Sequence, residues 1–134
     1  MSAEPSHRQA YGWERAENAL IAAGILLAVI AWEQPWWLLL VAFLAFDLSA
    51  AGYLAGQRVG AWCYNLVHNH AWPAALVAGW AGLQLGGVDA DGLVLLAACW
   101  GFHVAVDRAL GYGLKLGPFK HTHLGTIGKQ SQPS

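Results

Sequence analysis

A chain of 134 residues has room for one domain and not two. It is 57% hydrophobic and 11% charged, where an ordinary soluble domain carries about 25% charged residues. A formal charge of −1 leaves no basic stripe to meet phosphates, which excludes nucleic acid as a partner.

Residues 1–14 are polar and mixed in charge, without the basic start and small-residue cleavage site of a secretory signal. Four apolar segments follow. The first runs from about Glu17 to Trp32 and borrows Trp13 to Ala16 to reach spanning length. The second runs from Pro35 to about Ala55, the third from Val59 to about Leu85, and the fourth from Gly92 to about Leu114. Uninterrupted apolar runs of about ten to fourteen residues also suit buried helices of a soluble bundle. With their embedded polar residues, segments two to four have roughly the twenty residues that cross a bilayer core. Short polar breaks separate them: Glu33-Gln34-Pro35, Gly56-Gln57-Arg58 and Gly86-Gly87. Pro35 suits the first position of the following helix. Gly52, Gly56 and Gly60 offer close helix approach. Cys63 and Cys99 fall at different depths and read as small core-filling thiols.

Charge placement decides for the membrane. Arg8, Arg15, Arg58, Arg108, Lys115, Lys120 and Lys129 all lie before segment one, between segments two and three, or near and beyond the end of segment four. The other two connections hold only acids, Glu33 and then Asp89 and Asp91. An even number of spans puts every basic region on one face, which the positive-inside rule makes cytoplasmic. Trp32, Trp36 and Trp37 mark the outer boundary, and Trp13 and Trp62 the inner one. The expected fold is all-α: an antiparallel four-helix transmembrane bundle over 15–116 with both termini cytoplasmic. A polar segment precedes it at 1–14, and a cytoplasmic C-terminal segment follows at 117–134, ending in a flexible polar tail.

Helix rise then assigns depths to the polar residues inside the spans. Asp47, His68, His103 and Asp107 fall in one layer roughly 9 to 15 Å below the inner surface, at about 1.5 Å per residue. Glu17 and Asn18 enter it from the start of segment one. His103 and Asp107 are four apart and share a helix face, as do Asn65 and Tyr64 with His68. Ionisable groups in a span face protein or a wet cavity, so four helices converge on a polar pocket. Pro73 cannot bond the carbonyl of Asn69, which frees an acceptor beside His68. Arg108 either belongs to this pocket, pairs with Asp107 or snorkels to lipid phosphates. Tyr53 and Tyr112 read as interfacial anchors, and His70 as a packing histidine. His121-Thr122-His123 gains a role only if Phe119 and Leu124 dock it beneath the pocket.

The stretches FDLSAAGYLAG, YNLVH, HVAVDRALGYGLK and FKHTHLG together resemble a family of small bacterial membrane proteins catalogued as domain of unknown function 4260. The likeness covers about residues 14 to 128. Its pattern matches at Asp47, Tyr53, Asn65, His68, His103, Asp107, Arg108, Lys115 and His123, with Glu17-Asn18 at the front. The resemblance implies a four-helix protein of a bacterial inner membrane and no particular activity.

Three functions compete, with transport a fourth for which four helices would need to dimerise to enclose a path. In the first, His68, His103, Asp47 and Asp107 ligate zinc, iron or manganese. The protein is then a membrane hydrolase or transferase acting on a lipid-like or phosphate-bearing substrate. Asp47, Asp107 and Arg108 are its candidate catalytic residues, and Asn65, Tyr53, Lys115, His123, Glu17 and Asn18 its candidate substrate contacts. In the second, the two histidines ligate a haem for electron transfer. In the third, the polar layer is a hydrogen-bond network in a subunit of a larger membrane complex or homo-oligomer.

Overall fold

The computed structural model describes residues 5–117 and 119–127. Helix α1 spans Pro5–Ala31, α2 Trp37–Val41, α3 Phe43–Asp47, a 3-10 helix Leu48–Ala55, α4 Gln57–Val67, α5 Ala71–Leu85 and α6 Asp91–Leu110. A small antiparallel hairpin follows, with β1 at His121–Thr122 and β2 at Gly125–Thr126. The chain is thus all-α apart from that hairpin. Two helical stretches, Trp37–Ala55 and Asp91–Leu110, are long and apolar enough to cross a membrane.

Helix α6 is the central element. Helices α1 and α5 pack along it, α2 and α3 touch it, and α4 packs on the 3-10 helix. Val29, Leu39 and Cys99 form a buried core among Ile25, Leu26, Phe46 and Phe102. Between α1, α5 and α6 lies an apolar cavity of about 650 Å³, with His70 at its lining beside Pro73, Val77, Val94 and Gly101.

Helix α1 starts twelve residues before Glu17, because polarity marks where a helix meets water and does not end it. Residues 6–16 hold alanine, glutamate, arginine and glutamine, all compatible with a helix. At the other end of the chain, Gly111 takes a left-handed conformation (φ 95°) and stops α6 four residues before Leu114. The second segment is helical over 37–55 but is interrupted at Ala42 and tightens to 3-10 after Asp47. Pro35 lies two residues ahead of α2 and not at its first position.

The third segment is not one helix. It stops at Val67 and restarts at Ala71, with His68 leaving helical geometry at φ −89°, ψ 52°. Pro73 is the reason: in the first turn of a new helix its missing N–H needs no partner, whereas inside a continuous helix it breaks a bond. The expected free carbonyl at Asn69 is therefore replaced by a full interruption.

An interruption leaves the last carbonyls of α4 without helical donors, and side chains supply them. Asn69 Nδ2 donates to the carbonyls of Asn65 and Leu66, each at 2.8 Å. Trp72 Nε1 donates to Leu66 O at 2.8 Å and Trp100 Nε1 to Val67 O at 2.7 Å. Arg108 Nη2 reaches His68 O at 3.3 Å. Asn69 also accepts from Ala71 N at 2.9 Å, which starts α5. Asn69→Ala is accordingly expected to lower stability by about 1–3 kcal/mol, the range for stranded polar groups. Chemical unfolding of wild type and variant side by side measures it.

Candidate metal centre

Four side chains from three stretches of chain meet at one point. Asp47 is the last residue of α3, His68 follows the last turn of α4, and His103 and Asp107 stand one turn apart on α6. One ligand atom from each lies within 4.8 Å of all the others. The break after Val67 and the change of helix type after Asp47 thus fall at the two ligands outside α6. Helix irregularities of this kind mark functional positions.

The spacing suits a metal ion. His68 Nε2 and His103 Nε2 are each 3.4 Å from Asp107 Oδ2. Asp47 Oδ1 is 3.4 Å from His103 Nε2 and 3.6 Å from His68 Nε2. Ligands on a tetrahedral zinc with bonds of 2.0–2.1 Å stand about 3.3–3.4 Å apart. The two Nε2 atoms are closer, at 2.9 Å. His103 is fully buried, His68 and Asp107 nearly so, and the Asp47 side chain is 46% exposed, so the cluster opens at Asp47.

The tautomer of His68 is set by its neighbours. Its Nδ1 lies 3.0 Å from the carbonyl of Tyr64, which only accepts, so Nδ1 carries the proton. Ser49 Oγ, 3.3 Å from the same nitrogen, donates to the Phe46 carbonyl at 3.0 Å and is a second acceptor. The Nε2 lone pair therefore faces the cluster, as a metal-ligating histidine requires. His103 is held between the rings of Phe43 (4.2 Å) and Phe46 (5.5 Å). Its Nδ1 has no hydrogen-bond partner among the described residues. Both imidazole nitrogens converge on one point beside two carboxylates.

The remaining expected site residues build a floor beneath this cluster. Asn65 donates to Lys115 O at 2.8 Å and accepts from Lys115 N. Tyr53 donates to Gly117 O at 2.9 Å, so its hydroxyl anchors the C-terminal segment. His123 Nδ1 accepts from Leu114 N (2.8 Å), and its Nε2 donates to Glu14 Oε1 (2.8 Å). Arg108 Nη1 joins the same Glu14 oxygen at 3.3 Å. Arg108 therefore pairs with Glu14 and not with Asp107, and it also holds the backbone of His68. Asn18 bonds His70 Nε2 at 2.9 Å beside the cavity, while Glu17 is exposed and outside the cluster. Phe119 docks with its ring 4.0 Å from Lys115 Nζ and 5.5 Å from Tyr53. The hairpin thus lies under the pocket. Of the expected flexible tail, 125–127 belong to this hairpin and 128–134 fall outside the described residues.

Sequence reasoning missed Glu14, Ser49 and Trp100, and it noted Tyr64 only as a neighbour of His68. A carboxylate one turn before Asn18 was the available sign for Glu14.

Lys115 is buried, with Nζ over the rings of Tyr64 (4.5 Å), Tyr112 (5.9 Å) and Phe119. Burial pulls its pKa down to about 8, against the upward pull of Asp107. Below pH 8 the folded state carries the full penalty of a buried ammonium, and above it the penalty is relieved until the unfolded lysine also loses its proton near 10.5. Stability should rise between pH 8 and 10 in the wild type relative to Lys115→Met, a difference that melting temperatures at pH 7.5 and 9.5 read directly.

No curated protein and no solved structure matches the chain. A family model does, over residues 12–127, a stretch that takes in all four cluster residues and the hairpin beneath them. The chain belongs to the family described as Domain of unknown function (DUF4260).

Proposed function

We propose that the chain is an integral membrane protein of four spans with both termini cytoplasmic. Asp47, His68, His103 and Asp107 hold a divalent ion for hydrolysis or group transfer on a lipid-like, phosphate-bearing substrate. The observation that carries this reading is the convergence of two imidazole nitrogens and two carboxylates within 4.8 Å. Two carboxylates balance the charge of a divalent ion, so the loaded centre is neutral at a depth where net charge is costly. The sorted basic residues and the exposed Trp37, Leu40, Val41, Leu44 and Leu48 support the membrane setting.

When bound, such an ion lowers the pKa of a water and makes a nucleophile at neutral pH. The buried His68, His103 and Asp107 orient and hold. Asp47, on the exposed flank, accepts a proton at its carboxylate. The apolar cavity beside His70 gives an alkyl chain a bed.

The test is elemental mass spectrometry on protein purified in mild detergent without chelator, with an absorption spectrum alongside. About one zinc, iron or manganese per chain supports the reading and directs a screen of phosphatidic acid-type lipids for phosphate release. No retained metal and no uptake from added zinc, iron or manganese overturns it and leaves an accessory subunit as the better account. A Soret band would move the assignment to haem.

A further inference from the structure

The two ligands supplied by different helices, His68 and Asp107, share one neighbour. Tyr64 stands four residues before His68, on the same face of α4. Its ring lies flat on the His68 imidazole, with centroids 3.7 Å apart and planes inclined by 5°. Its hydroxyl donates to Asp107 Oδ2 at 3.2 Å. Its carbonyl accepts from His68 N at 2.8 Å and from His68 Nδ1 at 3.0 Å. One residue therefore sets the plane of a ligand ring, the tautomer of that ring and the direction of a ligand carboxylate.

We propose that Tyr64 is a positioning residue of the metal centre, locking His68 and Asp107 into one geometry. The inference deepens the proposed function and rests on its metal site. Tyr64 acts through the ligands and touches no reacting atom. A phenol hydroxyl only donates to an ionised carboxylate, and here it holds Oδ2, the oxygen that stands 3.4 Å from both imidazole nitrogens. The stacked imidazole fills one face of the Tyr64 ring, so the Lys115 ammonium, 4.5 Å from the ring centroid, stands on the other. Tyr64 is 4% exposed and has no freedom to swing away from either ligand. Partners of this kind, one bond beyond the metal, orient ligands and raise affinity.

Two variants separate the contributions. Tyr64→Phe keeps the stacked ring and removes the bond to Asp107, and Tyr64→Leu removes both. Zinc affinity is measured by chelator competition, the ligand field by the visible absorption of the cobalt(II) form, and the metal-free fold by thermal unfolding. Tyr64→Phe should weaken zinc about tenfold to a hundredfold and alter the cobalt bands, with the melting temperature of the metal-free chain close to wild type. Tyr64→Leu should weaken zinc further. Wild-type affinity and an unchanged cobalt spectrum in Tyr64→Phe overturn the assignment. So does a loss of affinity that merely tracks a lower melting temperature. A wild-type chain that binds neither zinc nor cobalt removes the metal centre itself, and the role of Tyr64 with it.

Discussion

Replacing His103 by alanine should abolish metal binding, with zinc affinity falling by more than about a hundredfold, beyond what loss of an outer-shell partner costs. His103 is fully buried and contributes Nε2 at 3.4 Å from both carboxylates, so no other group takes its place. His68→Ala should act alike. Asp107→Asn keeps the shape and can still accept from Tyr64, yet it removes the charge that balances the ion, and metal content should fall sharply with little loss of fold. Metal content and melting temperature on the same preparations check all three. Retention of one metal per chain in both histidine variants would place the ion elsewhere.

Gly60→Ala should be clearly destabilising. A methyl group at Gly60 would collide with the ring of Tyr53, which lies directly on the glycine. Tyr53 is fixed in turn by its bond to Gly117 O and by the Phe119 ring. Overpacking a tight contact costs about 1–3 kcal/mol. Here the strain also passes to the C-terminal segment, because moving Tyr53 detaches Gly117. Unfolding should shift by that amount, and proteolysis after Lys115 or Lys120 should become faster. Gly79→Ala, where an added methyl meets nothing, is the matched control. Equal behaviour of the two variants would show that α4 and the 3-10 helix do not need close contact.

Much of the cluster was legible in the sequence. His103 and Asp107 announce themselves by a spacing of four within an apolar run, and helix rise alone brings Asp47 and His68 to the same level. Counting residues succeeded there because depth depends on the number of residues and hardly on how straight the helix is. It failed for the path of the chain. The run from Val59 to Leu85 is apolar over most of its length, and apolarity reports burial without reporting continuity. His-Asn-His followed by Trp-Pro carried the missing information: asparagine closes carbonyls and opens the next helix, and proline sits in its first turn. The floor was less legible. Asn65, Tyr53 and His123 were expected to meet a substrate, whereas they bind backbone atoms of residues 114–117, and a long-range bond to backbone leaves no pattern in side-chain chemistry. Arg108 illustrates the same limit, since Glu14 is 94 positions away.

The interruption between α4 and α5 also imposes an order of assembly. Val67 and His68 complete their carbonyl bonding only with Trp100 and Arg108, which the ribosome makes some thirty to forty residues later. Until that stretch has emerged, Asn69 and Trp72 can close the carbonyls of Asn65 and Leu66, but those of Val67 and His68 lack their donors and His68 lacks His103 and Asp107. Synthesis of α6 is then the event that closes the break and gathers the four cluster residues together. A truncation ending near residue 95 would keep the α4 contact with the 3-10 helix and lose Trp100, His103, Asp107 and Arg108, and with them half of the cluster.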